Sequence, residues 1–186
     1  MPKTITKKFT IYDLEDLKKD DELCNKIYEK FWLYDESNTN AWQDENLHSF
    51  ETFAKRLHMK LESWTLSGSE DDCARDYIEL IPDDSFYALE NKNYKKLLKN
   101  YEGIGYYMCE DLKIFTLKLL DKEEYKVLDE SSTNKFIKEI QNRMLRLWYD
   151  DQASHYSKRS FLNSVELNDY KFYEDGTLYK EGSDES

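Results

Sequence analysis

The sequence contains little glycine and proline, with five Gly and two Pro among 186 residues. Flexible linkers and the many tight turns of an all-β sandwich depend on these two residues. Their scarcity therefore predicts a helix-rich fold.

Cysteine and histidine are also scarce. Cys24, Cys73 and Cys109 are odd in number and far apart, without a CxxC pair, which predicts neither a disulfide framework nor a zinc site and favours a reducing compartment. The three histidines are too scattered to suggest a metal centre; they are His48, His58 and His155. Cys109 lies beside two carboxylates, which disfavour a thiolate nucleophile, and is expected to be a buried structural residue.

Long apolar runs and the common catalytic motifs are missing. No stretch approaches the roughly eighteen consecutive apolar residues of a membrane span. Residues 1–10 alternate Lys and Thr with apolar residues instead of forming a signal-peptide core, so we expect neither secretion nor membrane insertion. The chain has no Walker A sequence, no dinucleotide-binding glycine pattern, no GxSxG and no HExxH. We predict a protein that binds rather than catalyses, without a cofactor or metal.

Acidic residues outnumber basic ones by 39 to 27, for a formal net charge of −12. This balance argues against direct binding to nucleic acid and favours a basic protein partner. The ordinary interpretation is that the many Asp and Glu cap helices and keep the protein soluble. The functional one is that rows of carboxylates at element ends imitate phosphates toward a groove lined by Lys and Arg.

Residue periodicity in the first third of the chain predicts alternating helices and strands. Ile5, Phe9 and Ile11 indicate a first strand, and the pattern from Asp13 indicates a broken helix with Asp20 and Asp21 suited to a helix start. A polar turn over Asp35 to Asn40, a helix from Trp42 to about His58 and a strand from Met59 to Leu66 follow.

The rest of the chain predicts a strand, three helices and a hairpin. The strand covers Asp76 to Ile81 and stops at Pro82, and helices cover Phe86 to Tyr101 and Tyr106 to Leu120. Ser131 or Ser132 is expected to cap the longest helix; its apolar face holds Phe136, Ile140, Met144 and Leu147. Tyr170, Phe172 and an acidic Asp-Gly turn predict a terminal hairpin.

These elements together predict an α+β fold: a helix-rich single domain over residues 1–181, with a small antiparallel sheet and a C-terminal β-hairpin. Residues 182–186 are expected to form a frayed acidic tail.

Two parts of the sequence resemble a known family. FTIYDLEDL, LCNKIYEKF and SFETFAKRLHMKLESWTLSG near the beginning, and LNDYKFYEDGTLY near the end, are similar to small phage and mobile-element proteins described as antitoxins of toxin–antitoxin stability systems. The resemblance covers about half of the chain, and the family includes anti-CRISPR inhibitors. It implies a small cytoplasmic protein of a bacterial host that blocks or regulates a larger host system.

The leading hypothesis is an anti-CRISPR-type inhibitor that places acidic side chains on a basic surface of a CRISPR effector nuclease, where Arg residues read the PAM. Its expected contacts lie between the second and third predicted strands, at the first residue of the third and directly after it; they are Glu70, Asp71, Asp72, Asp76, Asp83 and Asp84. An antitoxin that neutralises a basic toxin or another host factor is the alternative. A metal-dependent hydrolase built on the scattered carboxylates is the third.

Overall fold

The computed structural model describes residues 9–33, 36–66, 76–87, 91–101 and 107–180. Its contacts group the chain into two compact units, residues 1–40 with 153–186 and residues 41–152. A single domain over residues 1–181 stays a prediction. The tail at 182–186 lies outside the described residues.

The described residues form eight α-helices, one π-helix, one short 3-10 helix and two two-stranded antiparallel sheets, which confirms the predicted α+β class. In chain order they are β1 (Ile11–Tyr12), α1 (Leu14–Lys19), α2 (Asp21–Ile27), the π-helix (Tyr28–Leu33), α3 (Glu36–Arg56), β2 (Met59–Thr65), β3 (Tyr77–Pro82), α4 (Asp84–Tyr87), α5 (Asn91–Lys99), α6 (Tyr107–Leu120), the 3-10 helix (Glu123–Tyr125), α7 (Glu130–His155), α8 (Lys158–Asn168) and β4 (Phe172–Tyr173).

Aspartate side chains begin several of these helices. Asp13 accepts hydrogen bonds from the backbone N–H groups of Glu15 and Asp16, and Asp20 likewise starts α2, which is the predicted break in the first helix. Asp129 starts α7 by accepting from the Ser132 backbone N–H at 2.8 Å. The prediction of Ser131 or Ser132 as this cap was wrong. A capping side chain lies two or three residues before the N–H group that donates to it, and Asp129 lies three residues before Ser132.

The first unit has a small core rich in aromatic rings. Its buried residues come from α1, α2, the π-helix, α8 and β4; they are Leu17, Cys24, Ile27, Trp32, Phe161, Val165 and Phe172. The π-helix is tied to the turn after α7, because the Trp32 indole N–H donates to the His155 carbonyl at 2.8 Å. Helix α8, which the apolar pattern did not reveal, contributes Phe161 and Val165 four residues apart.

The predicted C-terminal hairpin is present in this unit. Phe172 bridges Leu178 across the turn, while β4 also pairs with β1 in antiparallel register. Gly176 has φ +84°, and a Cβ there would lie 3.0 Å from the side chain of Lys30. Lys30 in turn donates to the Asp175 carbonyl at 2.8 Å. The turn therefore requires glycine both for its backbone conformation and for the close approach of the lysine.

The second unit has the larger core, and α7 crosses it as predicted. Phe136, Ile140, Met144 and Leu147 are all buried. Cys109 of α6 is buried too, as expected, and its thiol lies 3.6 Å from the Ser49 carbonyl. Arg143 of α7 forms a two-bond ion pair with Asp111 of α6 at 2.7 and 2.6 Å.

Three elements differ from the predictions. Within the described residues, the first strand covers only Ile11–Tyr12 and leaves out Phe9. Residues 36–40, which were predicted as part of a turn, are the first residues of α3. A weak helix preference costs roughly a few tenths of a kcal/mol per residue, which a long helix tolerates. The helix predicted over Phe86 to Tyr101 is divided into α4 and α5, with residues 88–90 outside the described part. Asp83 explains the earlier start of α4, since its carboxylate accepts from the Ser85 and Phe86 N–H groups.

Candidate partner-binding surface

The strands β2 and β3 form a sheet with one buried and one solvent-facing side. Successive side chains of a strand alternate between faces, and the inward row is Met59, Leu61, Ile78 and Leu80. The outward row, here called the hairpin face, consists of Lys60, Glu62, Ser63, Thr65, Tyr77, Glu79 and Ile81.

A β-bulge in β2 places Ser63 beside Glu62 on this outward side. The register changes between Leu61 and Ser63, so that β2 carries one extra residue opposite β3. Glu62 contacts Lys60, with Nζ and Oε2 2.5 Å apart, and 42% of its side chain is exposed. After the bulge Ser63 stands opposite Glu79, and the Ser63 hydroxyl donates to that carboxylate.

Exposed apolar side chains are concentrated around this hairpin. Nine large hydrophobic residues are exposed in the described parts of the chain, and four of them lie between residues 64 and 87: Trp64, Tyr77, Ile81 and Tyr87. Tyr77 and Ile81 belong to the hairpin face, whereas Trp64 stands opposite the inward Ile78. Isolated exposed hydrophobic residues are ordinary, whereas side chains that share one face, as Tyr77 and Ile81 do, contribute to a contiguous apolar surface of the kind that protein contacts use.

The structure places three of the six predicted contact residues. Asp76 precedes β3 and is half-buried, with the Tyr149 hydroxyl donating to its Oδ2. Asp83 and Asp84 follow β3 and are exposed. A six-residue strand is about 20 Å long, so Asp76 is not brought together with the other two. Glu70, Asp71 and Asp72 lie outside the described residues.

Asp83 also has a structural role. It caps α4, and its Oδ2 lies 4.0 Å from His58 Nδ1. Asp84 occupies the first turn of the same helix, where a carboxylate favours the positive end of the helix dipole. The ordinary interpretation of the acidic residues is therefore correct for Asp83, as it is for Asp13, Asp20 and Asp129.

Sequence reasoning missed Glu62 and Glu79. Both are single carboxylates inside strands, so a search for acidic pairs at element ends passes over them. The alternation of Ile78 and Leu80 with Glu79 was the available signal for an outward carboxylate on β3. The alternation of Met59 and Leu61 with Lys60 and Glu62 was the same signal on β2. The bulge that also turns Ser63 outward has no such signal, because register depends on strand pairing.

Other site types find no support in the described residues. No group of three or more His, Cys, Asp and Glu side chains is arranged there to hold a metal ion. Within the same ranges, no helix combines the length and apolar character that crossing a bilayer requires.

Comparison of the chain with protein-family models, with curated proteins and with solved structures returns no significant match.

Proposed function

We propose that the protein is an anti-CRISPR-type inhibitor that binds a basic, nucleic-acid-binding surface of a bacterial CRISPR effector nuclease. One observation supports it most: on the hairpin face, exposed Tyr77 and Ile81 alternate with the exposed carboxylate of Glu79. Interfaces combine a few aromatic or apolar anchors with charged groups that match the partner.

This combination of side chains suits arginine. A guanidinium stacks on an aromatic ring and at the same time pairs with a carboxylate through two parallel hydrogen bonds. Tyr77 and Glu79 present such a ring and carboxylate two residues apart on one face of β3. Carboxylates outnumber the single lysine on the hairpin face, so the surface repels nucleic acid and favours a surface that carries Arg and Lys.

Acidic residues between β2 and β3, and directly after β3, are further proposed contacts with the partner. Glu70, Asp71 and Asp72 lie between the two strands that build the hairpin face, and Asp83 and Asp84 come directly after β3. We propose that these carboxylates contact the partner around the aromatic residues. The resemblance of the chain's first and last segments to the antitoxin-like family supports the choice of an effector nuclease as partner.

The decisive experiment mixes the purified protein with an RNA-loaded CRISPR effector and measures both target-DNA binding and cleavage. Loss of DNA binding at a stoichiometric ratio supports the proposal. Normal DNA binding and cleavage contradict it, and capture of a basic toxin instead would assign the same surface to the antitoxin alternative.

Salt dependence tests the electrostatic basis of the contact. Exposed charges are screened over about 8 Å at physiological ionic strength, so affinity should decrease steeply between about 50 mM and about 500 mM salt. An affinity that does not change over this range would show that the carboxylates contribute nothing.

A further inference from the structure

The second unit contains a pocket whose charge is opposite to that of the whole chain. Its volume is about 320 Å³, and it is lined by Arg56, His58, Asn93, Lys96, Leu97 and Asn100. In a protein with 39 acidic residues, the described part of this lining contains two permanent cations, one histidine and two amides, but no carboxylate.

The lining side chains come from two segments with suitable local geometry. Asn93, Lys96, Leu97 and Asn100 follow the i, i+3, i+4, i+7 spacing of one helical face along α5 and its end. His58 lies two positions beyond Arg56, the last residue of α3, and its φ of +57° is in the left-handed region. Its backbone carbonyl is held by the Asp83 N–H at 2.9 Å.

Arg56 is fixed in orientation before any ligand arrives. Its Nε and Nη2 both donate to the Leu97 carbonyl, at 3.2 and 3.1 Å, and its guanidinium carbon lies 5.9 Å from the centre of the Tyr101 ring. A guanidinium has five N–H donors, so the bonds to one carbonyl leave donors for a further acceptor. Preorganisation of this kind lowers the entropy cost of binding.

Within the described residues, the two permanent cations of the pocket have no carboxylate partner. Neither Arg56 nor Lys96 forms an ion pair with a carboxylate of the described residues, and the nearest acidic contact in the pocket is the 4.0 Å approach of Asp83 to His58. Cations near the end of α5 also stabilise the helix dipole. That role explains Arg56 and Lys96 without a ligand, and the negative end of the same dipole opposes an anion, so a bound anion depends on the donors of all four polar side chains.

We propose that this pocket binds the phosphate group of a small phosphomonoester. A tetrahedral dianion accepts hydrogen bonds from several directions, and the guanidinium, the ammonium and the two amides supply donors from separate positions. The volume is several times that of a bound water, which occupies about 30 Å³, so an organic group attached to the phosphate also fits. The lining shares no residue with the hairpin face, although Asp83, a proposed partner contact, lies 4.0 Å from His58 of the lining.

The test is a titration of the ¹⁵N-labelled protein with inorganic phosphate, glycerol 3-phosphate and acetate at constant ionic strength, followed by NMR. The side-chain signals of Arg56 Nε, Asn93 and Asn100 should shift and saturate, with a Kd below about 5 mM for the phosphates. Tighter binding of glycerol 3-phosphate assigns the site to an esterified phosphate, and equal binding assigns it to the free ion. Absence of saturable shifts, or equal affinity for acetate, would overturn the proposal.

Two variants at exposed positions separate binding from folding. Lys96→Gln should raise the Kd for phosphate at least about fivefold, and Asn100→Asp should remove saturable binding because it places a carboxylate in the pocket. The control Lys138→Gln removes an exposed lysine of α7 outside the lining and should change nothing. Unchanged phosphate affinity in both pocket variants would contradict the proposed site. Unchanged phosphate binding in a Glu79→Lys variant would show that the pocket binds phosphate independently of the hairpin face.

Discussion

The two small sheets use their charged side chains in different ways. At the β1–β4 sheet, Lys30 binds the Asp175 carbonyl at 2.8 Å and lies 3.6 Å from its carboxylate, so the charges hold a turn together. On the β2–β3 sheet, Glu62 and Glu79 contact neighbours on the same solvent-facing side. Charge in the first sheet joins a turn to the π-helix, whereas charge in the second stays among side chains of one solvent-facing side.

The largest effect should come from breaking the first sheet at its buried centre. Phe172 is fully buried and packs edge-on against Phe31, with ring centres 4.9 Å apart. Phe172→Ala should lower the free energy of unfolding by about 3–5 kcal/mol, since it removes a core ring and leaves a cavity. Urea denaturation measures this change.

The matched control is Tyr77→Ala on the hairpin face, where the ring is 44% exposed. It should change stability by less than about 1 kcal/mol, as surface substitutions usually do. Equal losses in the two variants would mean that the two sheets do not differ in the way described.

A smaller loss is expected from Gly176→Val in the turn of the first sheet. A β-branched residue is strained at φ +84°, and its Cβ would meet Lys30 at 3.0 Å. Unfolding free energy should decrease by about 1–3 kcal/mol. Gly176→Asn should lose less, because asparagine tolerates positive φ better; thermal melts of both variants check the order, and a greater loss with Asn would contradict the backbone explanation.

Changing the charges of the second sheet should affect binding and leave stability almost unchanged. The double variant Glu62→Lys with Glu79→Lys should weaken effector binding at least tenfold, about 1.4 kcal/mol, because it opposes Arg and Lys with like charge. Calorimetry gives the affinity and a thermal melt gives the stability.

The control for this variant is Glu22→Lys with Glu29→Lys, which makes the same change in net charge at exposed positions of the first unit. If both pairs weaken binding equally, only total charge matters and the hairpin face has no special role.

The smallest effect concerns a carboxylate that serves the fold. Hydrogen bonds from the Ser132 backbone and hydroxyl lower the pKa of Asp129. A lowered folded-state pKa means that its contribution to stability is present above the unfolded value of about 3.9 and is lost as pH falls through the folded value.

Asp129→Asn should therefore melt almost normally at neutral pH, since asparagine also caps helices. Its melting temperature should decrease less than that of the unaltered protein when the pH is lowered from about 5 to about 3. If the melting temperatures of the two proteins decrease equally as the pH is lowered, the charge of Asp129 does not contribute to stability.

The elements with a strong local pattern were predictable from the sequence. The apolar face of α7, the strand bounds of β2 and β3 and the Asp-Gly turn at the end agree with prediction to within a residue or two, because periodicity and turn chemistry act over short distances. Helix α8 was missed because its two buried residues, Phe161 and Val165, form too short a stripe. The start of α3 was missed because its first residues prefer turns when taken alone.

Composition determined that this is an acidic, helix-rich protein, and local spacing determined where most of its helices and strands lie. Only the tertiary structure decided that Ser63 shares the outward side with Glu62, since the bulge depends on how β2 pairs with β3. It also decided that Arg56 meets the Leu97 carbonyl, forty-one positions along the chain, beside the polar face of α5. Contacts between residues so far apart depend on how the elements pack, and no local pattern in the sequence records them.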